Sequence, residues 1–170
     1  MLRYKIPGWF HKDKDTRPDL RQLAAAAIGS FAGIAITAYF SLSQTMNLMV
    51  PSLGASAVLL YAASHVPMAQ PKNVLGGHLV SALAGVTVYR LWGLSWWTLA
   101  LGVTFAIIGM MITDTLHPPG GATAFVAVFT HQDYAFILKP VAAGVLILVI
   151  IAIVVHKIYN HSQYPAGDKD

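Results

Sequence analysis

One eleven-residue stretch, Asp114-Thr-Leu-His-Pro-Pro-Gly-Gly-Ala-Thr-Ala124, gathers an acid, a histidine, two prolines and two glycines inside an apolar sequence. Pro118 and Pro119 cannot continue a helix arriving from the N-terminal side, because each ring removes an N–H and clashes with the preceding turn. They can open a new helix, whose first N–H groups have no partner anyway. Such a start offers N–H donors, the positive end of the helix dipole and the Thr123 hydroxyl, and glycine lets a ligand approach the backbone. That is the chemistry of an anion site made without a formal charge. Pro119 brings no N–H, so Gly120, Gly121 and Ala122 are the expected donors. His117 can donate to an anion or change charge near neutral pH. Its alternative is an interfacial histidine that caps the preceding helix. Asp114 is awkward beside an anion and suits capping or pairing with a histidine. The rival reading of the whole stretch is helix packing, which small residues commonly serve in membranes.

A second stretch has the same grammar: Asn47, then Pro51-Ser-Leu-Gly-Ala-Ser-Ala57. Sliding the chain by 67 residues aligns the halves without a gap. Asn47 falls on Asp114, Pro51 on Pro118, Gly54-Ala-Ser-Ala57 on Gly121-Ala-Thr-Ala124, Lys72 on Lys139 and Arg90 on Lys157. Ser52, Gly54 and Ser56 therefore join Pro51 as pathway candidates, with Asn47 beside them. His78 follows Gly76-Gly77 in an apolar run. An ionisable residue inside a membrane segment is a functional candidate by default, and a histidine satisfied between helices is its alternative. No paired carboxylates, zinc-spaced His/Cys set or nucleophile-with-base pattern occurs, so enzyme chemistry has little support. A His117/His131/Asp114 metal site matches no familiar spacing. Neither a metal nor a cofactor is expected.

These residues must be positioned by membrane helices. The chain has 170 residues, 56% hydrophobic and only 11% charged, with mean hydropathy +0.59. Between Gln22 and Val155 the only charges are Lys72, Arg90, Asp114, Asp133 and Lys139. Lipid demands a backbone that satisfies itself, and long apolar runs without alternation choose helices over a barrel. The net charge of +4 does not point to nucleic acid, because Arg3, Lys5, Lys12, Lys14, Arg17 and Arg21 cluster before the first apolar run. They form a basic leader, residues 1–19, with Trp9-Phe10 at headgroup level. The positive-inside rule puts both termini on the cytoplasmic side. Residues 20–158 form one transmembrane domain and residues 159–170 a polar tail.

The apolar runs predict six helical segments. They are Leu20 to about Leu42 with Asp19 in the cap region, Pro51–Ala63, Val74 to about Leu91, Ser95–Ile112, a short run to about Thr130, and Phe136 to Val155. The fold class is an all-α integral membrane protein of two tandem repeats, about 20–92 and 93–158. Each repeat is long helix, short Pro/Gly-opened helix, long helix. Six crossings would make the repeats inverted; four crossings with two re-entrant short helices would make them parallel. The linkers Ser43–Val50 and Thr113–His117 look too short for re-entry. Ridges at Gly29/Gly33 and at Gly77/Ser81/Gly85 are expected to hold a homo-oligomer together. Arg90 and Lys157 read as snorkelling anchors.

The sequence resembles the HPP family of integral membrane proteins, named for its His-Pro-Pro motif. The match rests on His117-Pro-Pro-Gly-Gly-Ala-Thr-Ala124, on Pro51-Ser-Leu-Gly-Ala-Ser-Ala57 with Val58-Leu-Leu60, and on Ala69-Gln-Pro-Lys-Asn73 running into Gly76-Gly-His78 and Ser81-Ala82. It covers roughly Asp19 to Pro165. The resemblance implies a bacterial inner-membrane or plastid-type membrane protein, four spanning helices, and nitrite transport, an activity associated with some members. Residues and resemblance together lead to one expectation: a transporter or channel for a small inorganic anion, nitrite foremost, in which two helix starts share the path. The alternatives are a membrane assembly or sensing module and an intramembrane metalloenzyme.

Overall fold

The structure, a computed structural model, describes residues 18–43, 50–160 and 164–165. The leader with Trp9-Phe10, Asn47 and most of the tail lie outside the described residues. Six α-helices and no strand occur among those described: α1 Leu20–Ser43, α2 Pro51–Ala62, α3 Pro71–Trp92, α4 Trp96–Ile112, α5 Pro119–Phe129 and α6 Ala143–Val155. Sequence chemistry explains their starts. Asp19 Oδ1 accepts from Gln22 N–H at 2.7 Å while Gln22 Oε1 accepts from Asp19 N–H, a reciprocal cap for α1. Ser95 and Thr98 do the same for α4. Proline stands in the first turn of α2, α3 and α5. Gly93, at φ 71°, ends α3.

Three stretches are long and apolar enough to cross a membrane: Leu20–Leu42, Pro71–Trp92 and Ile137–Tyr159. The helices α2, α4 and α5 have 12, 17 and 11 residues. At about 1.5 Å per residue α2 and α5 reach less than 20 Å. The last stretch is less regular than its composition suggests. Lys139 has extended backbone angles (φ −132°, ψ 115°) just before Pro140, so the path bends there before α6.

Contacts give the directions. Gly29 and Gly33 of α1 face Tyr61 of α2. Leu23 and Ala26 line one cavity with Tyr61 and Ala62, and Thr37 and Ala38 line another with Pro51 and Leu53, so these two helices are antiparallel. Gly77 faces His117, and Gly85 faces Ala124 and Ala127, so α3 and α5 run parallel. Gly102 of α4 meets Val128 while Met110 meets Gly77 and Gly120, so α4 opposes both. The Tyr61 hydroxyl donates to the Leu148 carbonyl of α6. Met68, Lys72, Asp114 and Tyr164 thereby share one end of the bundle with the start of α1. The core is small and aliphatic, with Leu60, Val74, Val86, Val128 and Leu148 fully buried among alanines. Phe31, Met111 and Ile150 stay exposed, as lipid-facing side chains do.

The two small-residue ridges are used inside the chain. A Cβ on Gly29 or Gly33 would run into Tyr61, and one on Gly85 into the Ala124 carbonyl at 2.5 Å. The faces expected to join subunits hold α1 on α2 and α3 on α5 instead. Tyr61 is the large side chain that fills the first ridge.

Candidate functional site

Five buried side chains from α2, α3, α5 and the segment before α5 form one hydrogen-bonded knot. Ser56 Oγ stands 2.7 Å from His78 Nε2 and 2.8 Å from His117 Nε2. His78 Nδ1 lies 2.7 Å from Thr123 Oγ1. The Thr123 hydroxyl donates to Ser52 Oγ at 2.7 Å. The other nitrogen of His117, Nδ1, is 2.8 Å from the Met68 carbonyl, in the 3-10 turn Pro67–Ala69 that leads into α3. Ser56 Oγ also approaches the Ser52 carbonyl one turn back, at 3.1 Å. Every one of these five side chains is at most 1% exposed.

Local structure sets this up. Ser52 and Ser56 lie four residues apart, on one face of α2. His78 projects from α3 at the residue after the crowded Gly77. Thr123 sits in the second turn of α5, and the Pro118-Pro119 opening fixes His117 beside it. Gly77 has no side chain, and one placed there would strike His117 Cβ at 2.6 Å. The two imidazoles are therefore held 4.9 Å apart, centroid to centroid. The Met68 carbonyl can only accept, so His117 Nδ1 carries a proton. Within the knot there is no carboxylate and no lysine or arginine. A fully satisfied polar network in an apolar interior specifies one packing arrangement strongly.

The residues singled out in the sequence divide into three groups. His117, His78, Ser52, Ser56 and Thr123 converge in the knot. Pro118, Pro119 and Gly120 build the turn beneath it. Gly54 faces outward, with nothing near it, and Gly121 has only Val103 at 3.9 Å. Asp114 stands apart. Its carboxylate is 2.7 Å from Lys72 Nζ, with both side chains largely exposed. It pairs with no histidine. The Lys72 hydrogen bond and charge hold its carboxyl below the usual carboxylate range. The backbone of Asp114, at φ 51°, closes α4 by letting Thr115 N–H reach the Met110 carbonyl.

Two of the three donors expected at the α5 start are engaged within the chain. Gly120 N–H donates to the His117 carbonyl and Gly121 N–H to the Pro118 carbonyl. Gly120 is there to fit: a Cβ would lie 2.6 Å from Ser81 Oγ and 3.0 Å from both the Gly77 carbonyl and Met110 Sδ. What reaches between the two helix starts is side-chain hydroxyl and imidazole, not backbone N–H.

Sequence reasoning missed His156 and Tyr164. His156 is buried and its Nε2 lies 2.7 Å from the Leu60 carbonyl. Tyr164 packs against it and donates to the Ala69 carbonyl, joining the tail to the turn that holds Met68. The signal was available, since His156, like His78, follows a long apolar run. Cavities flank the bundle at both ends. One of about 360 Å³ touches Gln22, Ser64, His65 and His156. Another of about 810 Å³ touches Pro51, Thr130, Gln132 and Lys139, one residue from Ser52. No group of three metal-binding side chains exists among the described residues.

The model of a family described as "HPP, transmembrane region" matches residues 15–165. Two transmembrane proteins of Dictyostelium discoideum are similar to the chain. One is 33% identical over 172 residues, covering 92% of this chain and 60% of the relative. The other is 34% identical over 161 residues, covering 88% and 52%. The chain thus spans little more than half the length of these curated relatives. No solved structure matches.

Proposed function

The chain belongs to the HPP transmembrane family, and from that membership we propose that it is a transporter or channel for a small monovalent anion, nitrite foremost. One observation carries the reading: a buried knot of hydroxyls and imidazoles, free of carboxylates, ties together the two proline-opened helices. Polar groups inside a membrane domain are costly and concentrate on transport pathways. The knot lies about 10 Å along α3 from its start at Pro71, well within the bundle. Its Ser52 side adjoins the larger cavity, and its Met68 side adjoins the opposite end. An anion crossing between them has to part the Ser52–Thr123 and Ser56–histidine contacts, so the knot serves as both gate and contact surface.

The remaining features belong to the same proposal. Alternating helix directions favour six passes, and the basic leader favours a cytoplasmic placement of both termini. The membrane is a bacterial inner membrane or a plastid-type one. Homo-oligomers would form through lipid-facing surfaces such as that of α4, since the glycine ridges are occupied.

The test is a proteoliposome panel of nitrite, nitrate, formate and chloride. Nitrite uptake well above protein-free vesicles is expected, and His117→Gln, which keeps polar atoms in place, should lower it. Uptake of all four anions indistinguishable from protein-free vesicles, with helicity verified by circular dichroism, would refute the reading.

A further inference from the structure

While Thr123 donates to Ser52, the hydrogen-bond count in the knot does not close with two neutral imidazoles. Thr123 spends its one proton on Ser52 Oγ, so the His78 Nδ1 that faces Thr123 Oγ1 has to donate. His117 Nδ1 has to donate to the Met68 carbonyl. The two Nε2 atoms then both face Ser56 Oγ, which has a single proton. Ser56 can donate to one imidazole, and the other must donate to Ser56. The Ser52 carbonyl, at the longer 3.1 Å, only adds to the demand on that proton. With the Thr123 proton on Ser52, satisfying every contact takes one proton more than two neutral imidazoles hold.

Without that proton only one arrangement satisfies the chain, and in it the Ser52–Thr123 and Thr123–His78 donors are reversed. Ser52 donates to Thr123, Thr123 to His78 Nδ1, His78 Nε2 to Ser56, and Ser56 to His117 Nε2. The two arrangements differ by one proton and share one set of heavy-atom positions. We infer that the knot is a proton relay, loaded from the Ser52 side and unloaded beside Met68, and that the protein carries one proton with each anion.

Loading balances atom by atom. A proton binds Ser52 Oγ while the proton already there moves to Thr123. The Thr123 proton moves to His78 Nδ1, leaving an imidazolium on His78. Transfer of its Nε2 proton to Ser56, and of the Ser56 proton to His117, moves the charge to His117. Loss of the His117 Nδ1 proton to water at the exposed Met68 end empties the relay. The emptied chain holds His78 as its Nδ1–H tautomer and His117 as its Nε2–H tautomer, so both imidazoles have to exchange tautomer, and the hydroxyls have to turn, before the next proton is loaded.

The anion enters through two features of the loaded state. Its positive charge is buried with no carboxylate in contact, and an uncompensated buried charge is strongly unfavourable. The groups facing the imidazoles are Ser52 and Ser56 from α2, Thr123 from α5 and the Met68 carbonyl, while α4 brings Met110 against the adjoining Gly77 and Gly120. Asp114, the acid closest to His117 in sequence, is exposed and bound to Lys72. Ser52, once it accepts from Thr123, also has its own O–H free of any acceptor among the described residues, and its neighbour Pro51 lines the larger cavity. A small anion on that hydroxyl supplies the missing negative charge.

This inference rests on the anion-transport reading, and the experiment separates the two. Proteoliposomes carrying an internal pH dye receive an inward nitrite gradient, with the membrane potential set by potassium and valinomycin. Nitrite uptake and internal acidification are recorded in the same vesicles, against protein-free vesicles. The expected result is about one proton per nitrite and uptake that ignores the imposed potential. Uptake that follows the potential without acidification overturns the relay and leaves anion transport standing. Absence of uptake overturns both. A second arm uses His78→Gln, which can still bridge Ser56 and Thr123 but cannot hold the extra proton. Loss of acidification to the protein-free level, in a variant with unchanged helicity, is expected. Acidification at the unsubstituted rate overturns the relay.

Discussion

The openings of α2 and α5 are written in nearly the same residues and are built differently. At α5 the opening is a joint. Gly120 is pressed against Ser81, Gly77 and Met110, and His117 is locked between Ser56 and the Met68 carbonyl. At α2 the opening is loose. Pro51 and Gly54 are exposed, a Cβ on Gly54 would meet nothing within 4 Å, and cavities adjoin Val50 and Pro51. A shared motif therefore does not mean a shared role. The α5 start fixes the imidazoles, and the α2 start lends two hydroxyls to them and leaves one side open. The residue that separates the two is His117, which stands where Val50 stands in the 67-residue alignment.

The largest test of that contrast sets His117→Ala against Val50→Ala. Both residues are buried. Removing His117 leaves a cavity and strips partners from Ser56 and the Met68 carbonyl, a loss of about 3 kcal/mol. Val50→Ala removes two methyl groups and no hydrogen bond, about 1 kcal/mol. Thermal unfolding in detergent checks the ordering, and equal losses would mean that the two openings are equivalent after all.

Glycine gives the next contrast, and here the signs oppose. Gly120→Ala forces a Cβ into contacts of 2.6 to 3.0 Å and should cost about 2 kcal/mol. Gly54→Ala meets nothing within 4 Å inside a helix and should stabilise by about 0.5 kcal/mol. If Gly120→Ala were also harmless, the α5 opening would not be a tight joint.

Much of this was legible in the residues, and the limits are physical. Proline, serine and aspartate announced helix starts at Pro51, Ser95, Asp19 and Pro119 because capping is a local interaction. The polar stretch His131–Lys139 and Pro140 signal a break there, while the apolar run alone predicts one segment from about Phe136 to Val155; the structure bends at Lys139. Four of the five knot residues come from the paired motif, and His78 from its apolar setting. Their meeting was not legible. Ser56 reaches His117 across 61 residues and His78 reaches Thr123 across 45, and no periodicity encodes which faces meet. The same gap explains the ridges. Small residues at four-residue spacing announce a close helix contact, but not whether Tyr61 or another subunit will fill it.

Function should separate from stability at Ser52. Ser52→Ala leaves Thr123 with His78 as a partner, so the loss of stability should be about 1 kcal/mol. The same change removes the one hydroxyl between the knot and the open side, so nitrite uptake should fall much further than it does for Gly54→Ala. Equal uptake in the two variants would place the path elsewhere.

The smallest effect is expected at Lys72–Asp114, which joins the start of α3 to the segment before α5, as the knot does, but in the open. Lys72 depresses the Asp114 pKa in the folded protein. A depressed carboxyl contributes stability above its unfolded pKa of about 3.9, and that contribution fades as pH falls through the lower folded value. No dependence between pH 5 and 8 should therefore come from this pair. Exposed ion pairs contribute little, because water solvates both partners almost as well apart. Asn tolerates the left-handed backbone at this position, so Asp114→Asn isolates the charge. Its melting temperature should stay within the scatter of the measurement. A drop comparable to that of His117→Ala would mean that this end of the bundle is held from outside, by the ion pair, and not from within by the knot.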